Sequence, residues 1–241
     1  SAGSRGAVHG VFDFGTRHIG ASYDAHGGRI APEPSQGDLF DSNIYNIGGK
    51  LGLHIDENQR IQLAVSHYDA RQDSDYATDP SVAKLPAGSV PANAIKGLDL
   101  DEQNRIRNTL VNLEYENLDI LGSRLSAQMY YRDYFTRFTP FDARAVATRG
   151  GNVDQIMQNS EVFGSRLTLR TPLGESGSTE LVWGGDYNQE RSDMPLDVFD
   201  PAVYDASGGL VFDKTGKLTY MPPLRTRSAG AFAQLQHRFD A

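Results

Sequence analysis

In the stretch RLSAQMYYRDYF, residues 124–135, the chemistry of each side chain follows the parity of its number. The odd positions, Leu125, Ala127, Met129, Tyr131, Asp133 and Phe135, are apolar or aromatic in five cases of six; the even ones are Arg124, Ser126, Gln128, Tyr130, Arg132 and Tyr134. A period of two is that of a β-strand with one apolar and one wet face. In a soluble sandwich the apolar face is buried in the core, whereas in a membrane barrel it meets lipid and the polar face lines the lumen. Alternation alone does not choose between them.

The connections do. Strand character recurs over eight segments, 7–23, 43–55, 60–75, 107–119, 124–138, 160–172, 179–191 and 226–239. Between them lie, in order, a long link at 24–42, DENQ at 56–59, a long link at 76–106, ILGS at 120–123, a long link at 139–159, LGESGS at 173–178, and the 34 residues 192–225. In an up-and-down meander every second connection falls on the same rim, so all the long loops gather at one end and all the tight turns at the other. That asymmetry is the pattern of outer-membrane barrels. A compact soluble domain seldom carries several loops above about 15 residues.

Side-chain charge supports the same choice. Tyr45, Ile47, Leu51, Leu53 and Ile55 alternate with Asn46, Lys50 and His54, and Thr109, Val111, Leu113 and Tyr115 with Asn112, Glu114 and Glu116. Phe163, Leu167 and Leu169 oppose Arg166, Thr168 and Arg170; Leu181, Trp183 and Tyr187 oppose Asp186 and Asn188. Placing so many charges in a sandwich core is costly unless each is paired, while a water-filled or plugged lumen accepts them. Tyr115, Tyr131, Trp183 and Tyr187 on the apolar face suit an interfacial aromatic girdle. The segments are 13 to 17 residues long where about 9 to 11 cross the hydrocarbon, so the wall projects beyond it. Such height belongs to wide, plugged barrels of about 22 strands rather than to a minimal one of eight.

Composition removes other classes. With no cysteine there is neither a disulfide framework nor thiolate chemistry, and a net charge of -8 opposes general nucleic-acid binding. No run of 18 apolar residues provides a spanning helix. Six scattered histidines form no HExxH or close pair, DSDYATD at 73–79 lacks the Gly and Glu of a calcium loop, and GESG at 174–177 reads as a turn rather than a nucleophile elbow. Neither an enzyme, nor a protein-held metal, nor a cofactor is expected.

Four stretches are recognisable: NIGGKLGLHIDENQRIQLAVSHYDARQDSDYATDPSV, TLVNLEYENLDILGSRLSAQMYYRDYFTRFTPFDAR, LVWGGDYNQERSDMPLDVFDPAVYDASGGLVF and PPLRTRSAGAFAQLQHRF. Together they resemble the barrel of TonB-dependent siderophore receptors, of the ferric aerobactin type, over nearly the whole chain from about residue 20. The resemblance implies an all-β, antiparallel up-and-down meander forming part of a transmembrane β-barrel. It further implies a ferric siderophore as ligand, iron entering only as the transported chelate, energy from the TonB–ExbB–ExbD complex acting through a plug, and outer-membrane lipid and lipopolysaccharide as surroundings. Receptors of this kind begin with a TonB box and plug, which the 241 residues do not contain. Residues 1–241 are therefore read as an internal piece of the barrel, about a third of a 22-strand wall. A non-energised porin and a soluble carbohydrate-binding sandwich are the alternatives.

The functional signal is local charge. Between 124 and 149 stand Arg124, Arg132, Arg137, Arg144 and Arg149 against only Asp133 and Asp142, with Tyr130, Tyr134, Phe138 and Phe141 interleaved. Chelates of the citrate-hydroxamate type are anionic, and guanidinium forks beside aromatic faces suit them. Tyr130, Arg132, Tyr134, Arg137 and Arg144 are the candidate ligand contacts, with Arg132, Tyr134 and Arg137 as the central set. The bland reading is that these arginines pair with nearby acids or lipopolysaccharide phosphates. Residues 192–225, with MPLDVFDPAVYD, Gly208-Gly209 and Pro222-Pro223, are too punctuated for a continuous strand. They read as a loop packed on adjoining loops, with a hairpin around DKTGK and a lid over ligand as the functional alternative.

Overall fold

The computed structural model describes residues 2–32, 39–81, 86, 93–174 and 178–239. Twelve strands occur there: β1 (Ala2–Arg5), β2 (Val8–Ile19), β3 (Ser42–His54), β4 (Gln59–Gln72), β5 (Tyr76–Thr78), β6 (Ala94–Lys96), β7 (Arg105–Ile120), β8 (Ser123–Arg137), β9 (Phe141–Asp142), β10 (Val153–Leu173), β11 (Thr179–Phe199) and β12 (Lys214–His237), with one short helix, α1 (Pro201–Ala206). The main sheet runs β1-β2-β3-β4-β7-β8-β10-β11-β12, with β9 attached to β10, while β5 and β6 form a separate ribbon. Every neighbouring pair is antiparallel. All eight expected strands are present in sequence order, and β1 adds a tight hairpin before the first.

The tight turns have local causes. Leu121 and Gly122 both take positive φ, 52° and 76°, the geometry of a two-residue turn whose twist matches the flanking strands. Gly122 N–H donates to Asp119 Oδ1 at 3.1 Å. At the β3–β4 turn, Asn58 N–H donates to Asp56 Oδ1 at 2.8 Å and Ile55 N–H to the Gln59 carbonyl at 2.9 Å. The expected turn at 173–178 falls partly on 175–177, outside the described residues.

Three strands run far beyond the sequence reading. β10 begins at Val153, β11 continues to Phe199 and β12 starts at Lys214, so the long link at 192–225 shrinks to residues 200–213. No hairpin forms around DKTGK: Lys214 pairs with Phe199 and Lys217 with Asp197, both across the β11–β12 ladder. Proline punctuation misleads here because the register slips where the prolines sit, at Met194/Pro195 and where Ser192 pairs with Leu224 but Met194 with Met221. A bulge needs no ladder N–H from its extra residues. β10 and β11, 21 residues each, extend roughly 65–70 Å, well past a tilted crossing of the hydrocarbon.

Register carries one parity across the sheet. Leu51, Leu63, Leu113 and Met129 lie in one row; Leu53, Ile61, Tyr115, Ala127 and Leu167 in the next. The leucines and Met129 of these rows are exposed, Leu113 at 39 % and Met129 at 48 %, and Ile61, Tyr115 and Ala127 are half-buried. The opposite face carries Gln62, Glu114, Gln128, Arg166 and Asp186 in a single row. It is knitted by Asn112 Nδ2 donating to Glu114 Oε1 at 2.8 Å and Gln128 Nε2 to Asn112 Oδ1 at 2.8 Å. A single layer with exposed leucines on one side and hydrogen-bonded polar groups on the other is a barrel wall, and among the described residues no second sheet covers the apolar side, as the sandwich alternative requires.

Towards the long-loop rim the apolar face changes character, which the sequence reading missed when it assigned the charges to the polar face. Asp69, Arg105, Arg107, Asp133, Glu161, Arg191 and Arg225 all share the parity of Leu113. Asp69 accepts from Arg105 Nε and Nη2 at 3.0 and 2.8 Å, and Arg107 Nη2 donates to Asp133 Oδ2 at 3.1 Å. The strands thus leave the hydrocarbon below these residues.

In the full-length protein, Leu113→Arg is expected to destabilise the barrel by about 2–4 kcal/mol, whereas Glu114→Gln, one residue away on the other face, changes stability by less than about 0.5 kcal/mol. Denaturant midpoints for refolding into lipid vesicles test this; equal effects of the two substitutions would invert or abolish the face assignment.

Candidate functional site

Two places combine charge, aromatic surface and access: the polar face of β8 near the long-loop rim, and a cavity enclosed by the loops above it. On β8, Tyr130, Arg132 and Tyr134 share the polar parity. Tyr130 faces Gly164 across the β8–β10 ladder, where a Cβ would overlap its ring. The missing side chain lets the phenol lie along the wall, where its oxygen accepts from Asn188 Nδ2 at 2.8 Å. Arg132 Nη2 donates to Ser160 Oγ at 3.3 Å, and Ser160 Oγ donates to Glu190 Oε1 at 2.7 Å. The Arg132 guanidinium carbon lies 6.0 Å from the centre of the Tyr134 ring. Arg132 is exposed and its link to Glu190 passes through a hydroxyl, so its fork is open to an arriving anion.

Arg137 does not join this group. Five residues along a strand reverse the face, and Arg137 lies with Phe135 and Arg107 on the outward parity. Its side chain is only 12 % exposed, paired with Glu102 Oε1 at 2.9 Å and set 5.4 Å from the Phe135 ring. Arg149 is similarly committed, in contact at 2.5 Å with the fully buried Asp154 and placed over the rings of Phe141 and Tyr220. The arginine-rich run in the sequence therefore separates into different faces and partners in space.

Arg144 belongs to the cavity. Its Nη1 and Nη2 donate to Asp205 at 2.8 and 2.7 Å, and its Nε and Nη2 to Asp142 at 2.8 and 2.7 Å. One guanidinium thus clasps the segment after β8 to helix α1. Asp200 caps that helix, accepting from the N–H groups of Ala202 and Val203, with Pro201 at its first turn. The loops meet on a small apolar core, Val153, Phe199 and Tyr204 with Leu100 and Phe212; the Phe212 ring is 5.3 Å from both Phe199 and Tyr204. Residues 192–225 thus contribute a strand continuation and a packed loop, Asp99 N–H donating to the Leu210 carbonyl at 2.8 Å and Phe212 N–H to the Asp99 carbonyl at 3.0 Å.

The cavity itself is about 570 Å³, bordered by Tyr76, Leu98, Phe141, Arg144, Tyr204 and Phe212, the size and lining of a small-ligand pocket. Thr139 Oγ1, on its border, is buried and unpartnered among the described residues. On the far side Arg29 pairs with Asp41 and sits 3.8 Å from the Tyr76 ring, while Ser74 Oγ donates to Asp41 Oδ2 at 2.5 Å. Within the stretch 73–79, Tyr76–Thr78 form β5 and border the cavity. Tyr76, Tyr204, Phe212 and Asp205 were not singled out as ligand contacts from sequence; Tyr204 and Phe212 were legible only as apolar residues in a punctuated loop.

Hydrogen bonds from Arg144 hold the Asp142 carboxyl below its ordinary value against the opposing effect of burial, and the carboxylates of Asp142 and Asp205 raise Arg144. Burial raises the Tyr204 phenol.

The family model described as TonB dependent receptor-like, beta-barrel, matches residues 34–241. The Rhizobactin receptor of Rhizobium meliloti (strain 1021) is 26% identical over 220 residues, which are 90% of this chain and 29% of that protein. The Ferric aerobactin receptor of Klebsiella pneumoniae is 27% identical over 235 residues, 97% of this chain and 32% of that one. The chain spans about three tenths of the length of these relatives. Among solved structures, the copper transporter OprC superposes with a TM-score of 0.59 at 14% identity, over 97% of this chain and 30% of its own, and the FrpB iron transporter from Neisseria meningitidis with 0.58 at 14%, over 99% and 36%. At such identity the structures support the fold alone.

The depressed Asp142 fixes the pH behaviour of the clasp. Its stabilisation is complete above the ordinary Asp value near pH 4 and is lost as pH falls through the lower, folded value. Hydrogen exchange of residues 143–150, corrected for intrinsic rates, is expected to stay constant from neutral pH to about 4.5 and to accelerate below about 4, and Asp142→Asn should give the faster rate at every pH. A clasp insensitive to acid would show that Asp142 does not hold Arg144.

Proposed function

The chain belongs to the TonB dependent receptor-like β-barrel family of the outer membrane, and from that premise we propose that it forms part of the wall and outer loops of a receptor that imports a ferric siderophore. One observation carries this reading: every long loop rises from the same rim of a wall that is apolar on one face, and all four of those loops contribute to the border of one aromatic-lined cavity at that rim. The cavity bordered by Tyr76, Phe141, Tyr204 and Phe212 and the Tyr130, Arg132 and Tyr134 group on the polar face of β8 are the two surfaces offered to a chelate.

The ligand class follows from the chemistry of these positions. Hydroxamate and citrate-hydroxamate chelates present carboxylate and hydroxamate oxygens around ferric iron and carry negative charge. Arg132 offers an exposed fork to such oxygens, and Tyr130 and Tyr134 offer flat faces beside it. Arg144 orders the rim rather than binding directly, since Asp142 and Asp205 already take four of its five N–H donors. Two relatives carrying the names Rhizobactin receptor and Ferric aerobactin receptor agree with a siderophore ligand. Energy is supplied by TonB with ExbB and ExbD, acting on a plug that fills the polar lumen. A row such as Glu114, Gln128, Arg166 and Asp186 provides the wetted, hydrogen-bonding surface against which a plug slides.

Expression of the intact receptor in a strain lacking its own hydroxamate-siderophore receptors should restore growth on ferric citrate-hydroxamate chelate as sole iron source, and loss of TonB should abolish that growth. Uptake that persists without TonB would favour the porin alternative. Within the receptor, Arg132→Gln is expected to weaken chelate binding about tenfold at low salt, with Arg137→Gln lowering thermal stability but leaving affinity within about twofold. Equal losses from the two substitutions would remove the face assignment from the binding mechanism.

A further inference from the structure

Arg132 is not the only charge at its height on the polar face. Arg132 on β8, Val162 on β10 and Glu190 on β11 stand in one row of the sheet, so the two ionic residues share the lumen side two strand spacings apart, about 10 Å. The strand between them is built small there: Ser160, Val162 and Gly164 share that face, and Gly164 is the position along which the Tyr130 ring lies. The result is a shallow trough with a cation on one bank and an anion on the other.

Both charges are set among neutral neighbours. Arg132 is flanked in its row by Leu110 and Val162, and Glu190 by Val162 and Thr226, with a strand present on either side of each. What links them is the hydroxyl of Ser160, a residue only 3 % exposed. Arg132 Nη2 donates to Ser160 Oγ at 3.3 Å, and Ser160 Oγ donates to Glu190 Oε1 at 2.7 Å. A hydroxyl carries a single proton, so this chain of bonds runs one way, from guanidinium through hydroxyl to carboxylate. It engages one guanidinium N–H and one carboxylate oxygen, which leaves most of the Arg132 fork and the second oxygen of Glu190 for a ligand.

A trough of this composition has no net charge, so it selects among anions instead of gathering them. Resting on the siderophore reading above, we propose that Glu190 is a specificity-determining residue: the trough takes a chelate that lays one carboxylate on Arg132 and, about 10 Å across, a hydrogen-bond donor on Glu190, and it disfavours a chelate that brings a second carboxylate to that position. An amide N–H or a hydroxyl there makes a charge-assisted bond to the Glu190 carboxylate. A carboxylate in the same place meets like charge and leaves both acceptors without a proton between them. Selection of this kind works by penalising the wrong group, with Arg132 supplying the attraction common to both ligands.

The test uses the full-length receptor, purified in mild detergent, and two synthetic ferric citrate-dihydroxamate chelates, one with two peripheral carboxylates and one in which a single carboxylate is converted to the primary amide. By equilibrium dialysis at low salt, the wild type should bind the mono-amide about three- to tenfold more tightly. Glu190→Gln should remove that preference by tightening the dicarboxylate, while Glu190→Asp, which keeps the charge, should retain most of it. Equal affinities in the wild type, or a preference that survives Glu190→Gln, overturns the assignment. If Glu190→Gln does not assemble, the wild type still decides: its preference must shrink as sodium chloride is raised, and a preference for the dicarboxylate, or one for the mono-amide that salt leaves unchanged, rejects a charge filter. Binding of both chelates without discrimination leaves the transport reading standing, whereas binding of neither rejects that reading and this one with it.

Discussion

A backbone that crosses hydrocarbon must satisfy its N–H and C=O groups within the protein, and a ladder of strands does so only if each strand keeps its register with both neighbours. Here register and side-chain parity are the same constraint. A slip of one residue at β7–β8 would turn Leu113 and Met129 towards the lumen and Glu114 and Gln128 towards lipid. The chain resists such slips at identifiable points. The Leu121–Gly122 turn fixes one hairpin through two left-handed residues. Tyr130 over Gly164 and His9 over Gly52 fix others, since moving either glycine would drive a Cβ into a ring.

A single-walled sheet has no interior, so among the described residues the conventional hydrophobic core lies where the strands have left the membrane. Val153, Phe199, Tyr204 and Phe212 form it, and ion pairs surround it: Arg149 with Asp154, Arg144 with Asp142 and Asp205, Lys214 with Asp197 at 2.7 Å. Buried or half-buried pairs add little net stability, but removing one partner strands the other charge. They therefore act as position markers. Arg144 can join α1 to the segment after β8 in only one arrangement, and that arrangement gives the rim cavity its border.

The strands and the alternation of loop lengths were legible because both are expressed in local sequence: period-two hydrophobicity, turn residues, and spacing. The faces were legible for the same reason, as Leu113 and Glu114 show. Two things were not. Prolines in 192–225 signal a loop, yet Pro195, Pro222 and Pro223 sit at bulges in a long ladder, and bulges are set by the partner strand rather than by the residues themselves. The arginines of 124–149 form a cluster in the sequence but not in space. Parity alone separates Arg132 from Arg137, so that part was available in principle; the engagement of Arg137 with Glu102, and of Arg144 with Asp205 across 61 residues, was not. Proximity along the chain is a poor guide to a binding site on strands, where neighbours in space come from the next strand and not from the next residue.

Continuity of β10 and β11 relates the two candidate sites mechanically. From Leu173 paired with Thr179 at the tight turn to Val153 paired with Phe199 in the loop core, their ladder keeps one register throughout, with Arg166 opposite Asp186 partway along. β12, by contrast, breaks register with β11 at three places. A ladder without a bulge has no point about which to bend, so the loop core at Val153 and Phe199, on which Tyr204 and Phe212 pack, is held at a fixed distance along the strands from Tyr130 and Arg132. Any closure over a ligand must then come from the borders carried on other connections, the ribbon β5–β6 with Arg29, Asp41 and Tyr76 on one side and α1 on the other. The Arg144 clasp couples α1 to the segment after β8, and the β5–β6 side is tied to α1's loop by Asp99, whose N–H donates to the Leu210 carbonyl at 2.8 Å and whose carbonyl accepts from Phe212 N–H at 3.0 Å.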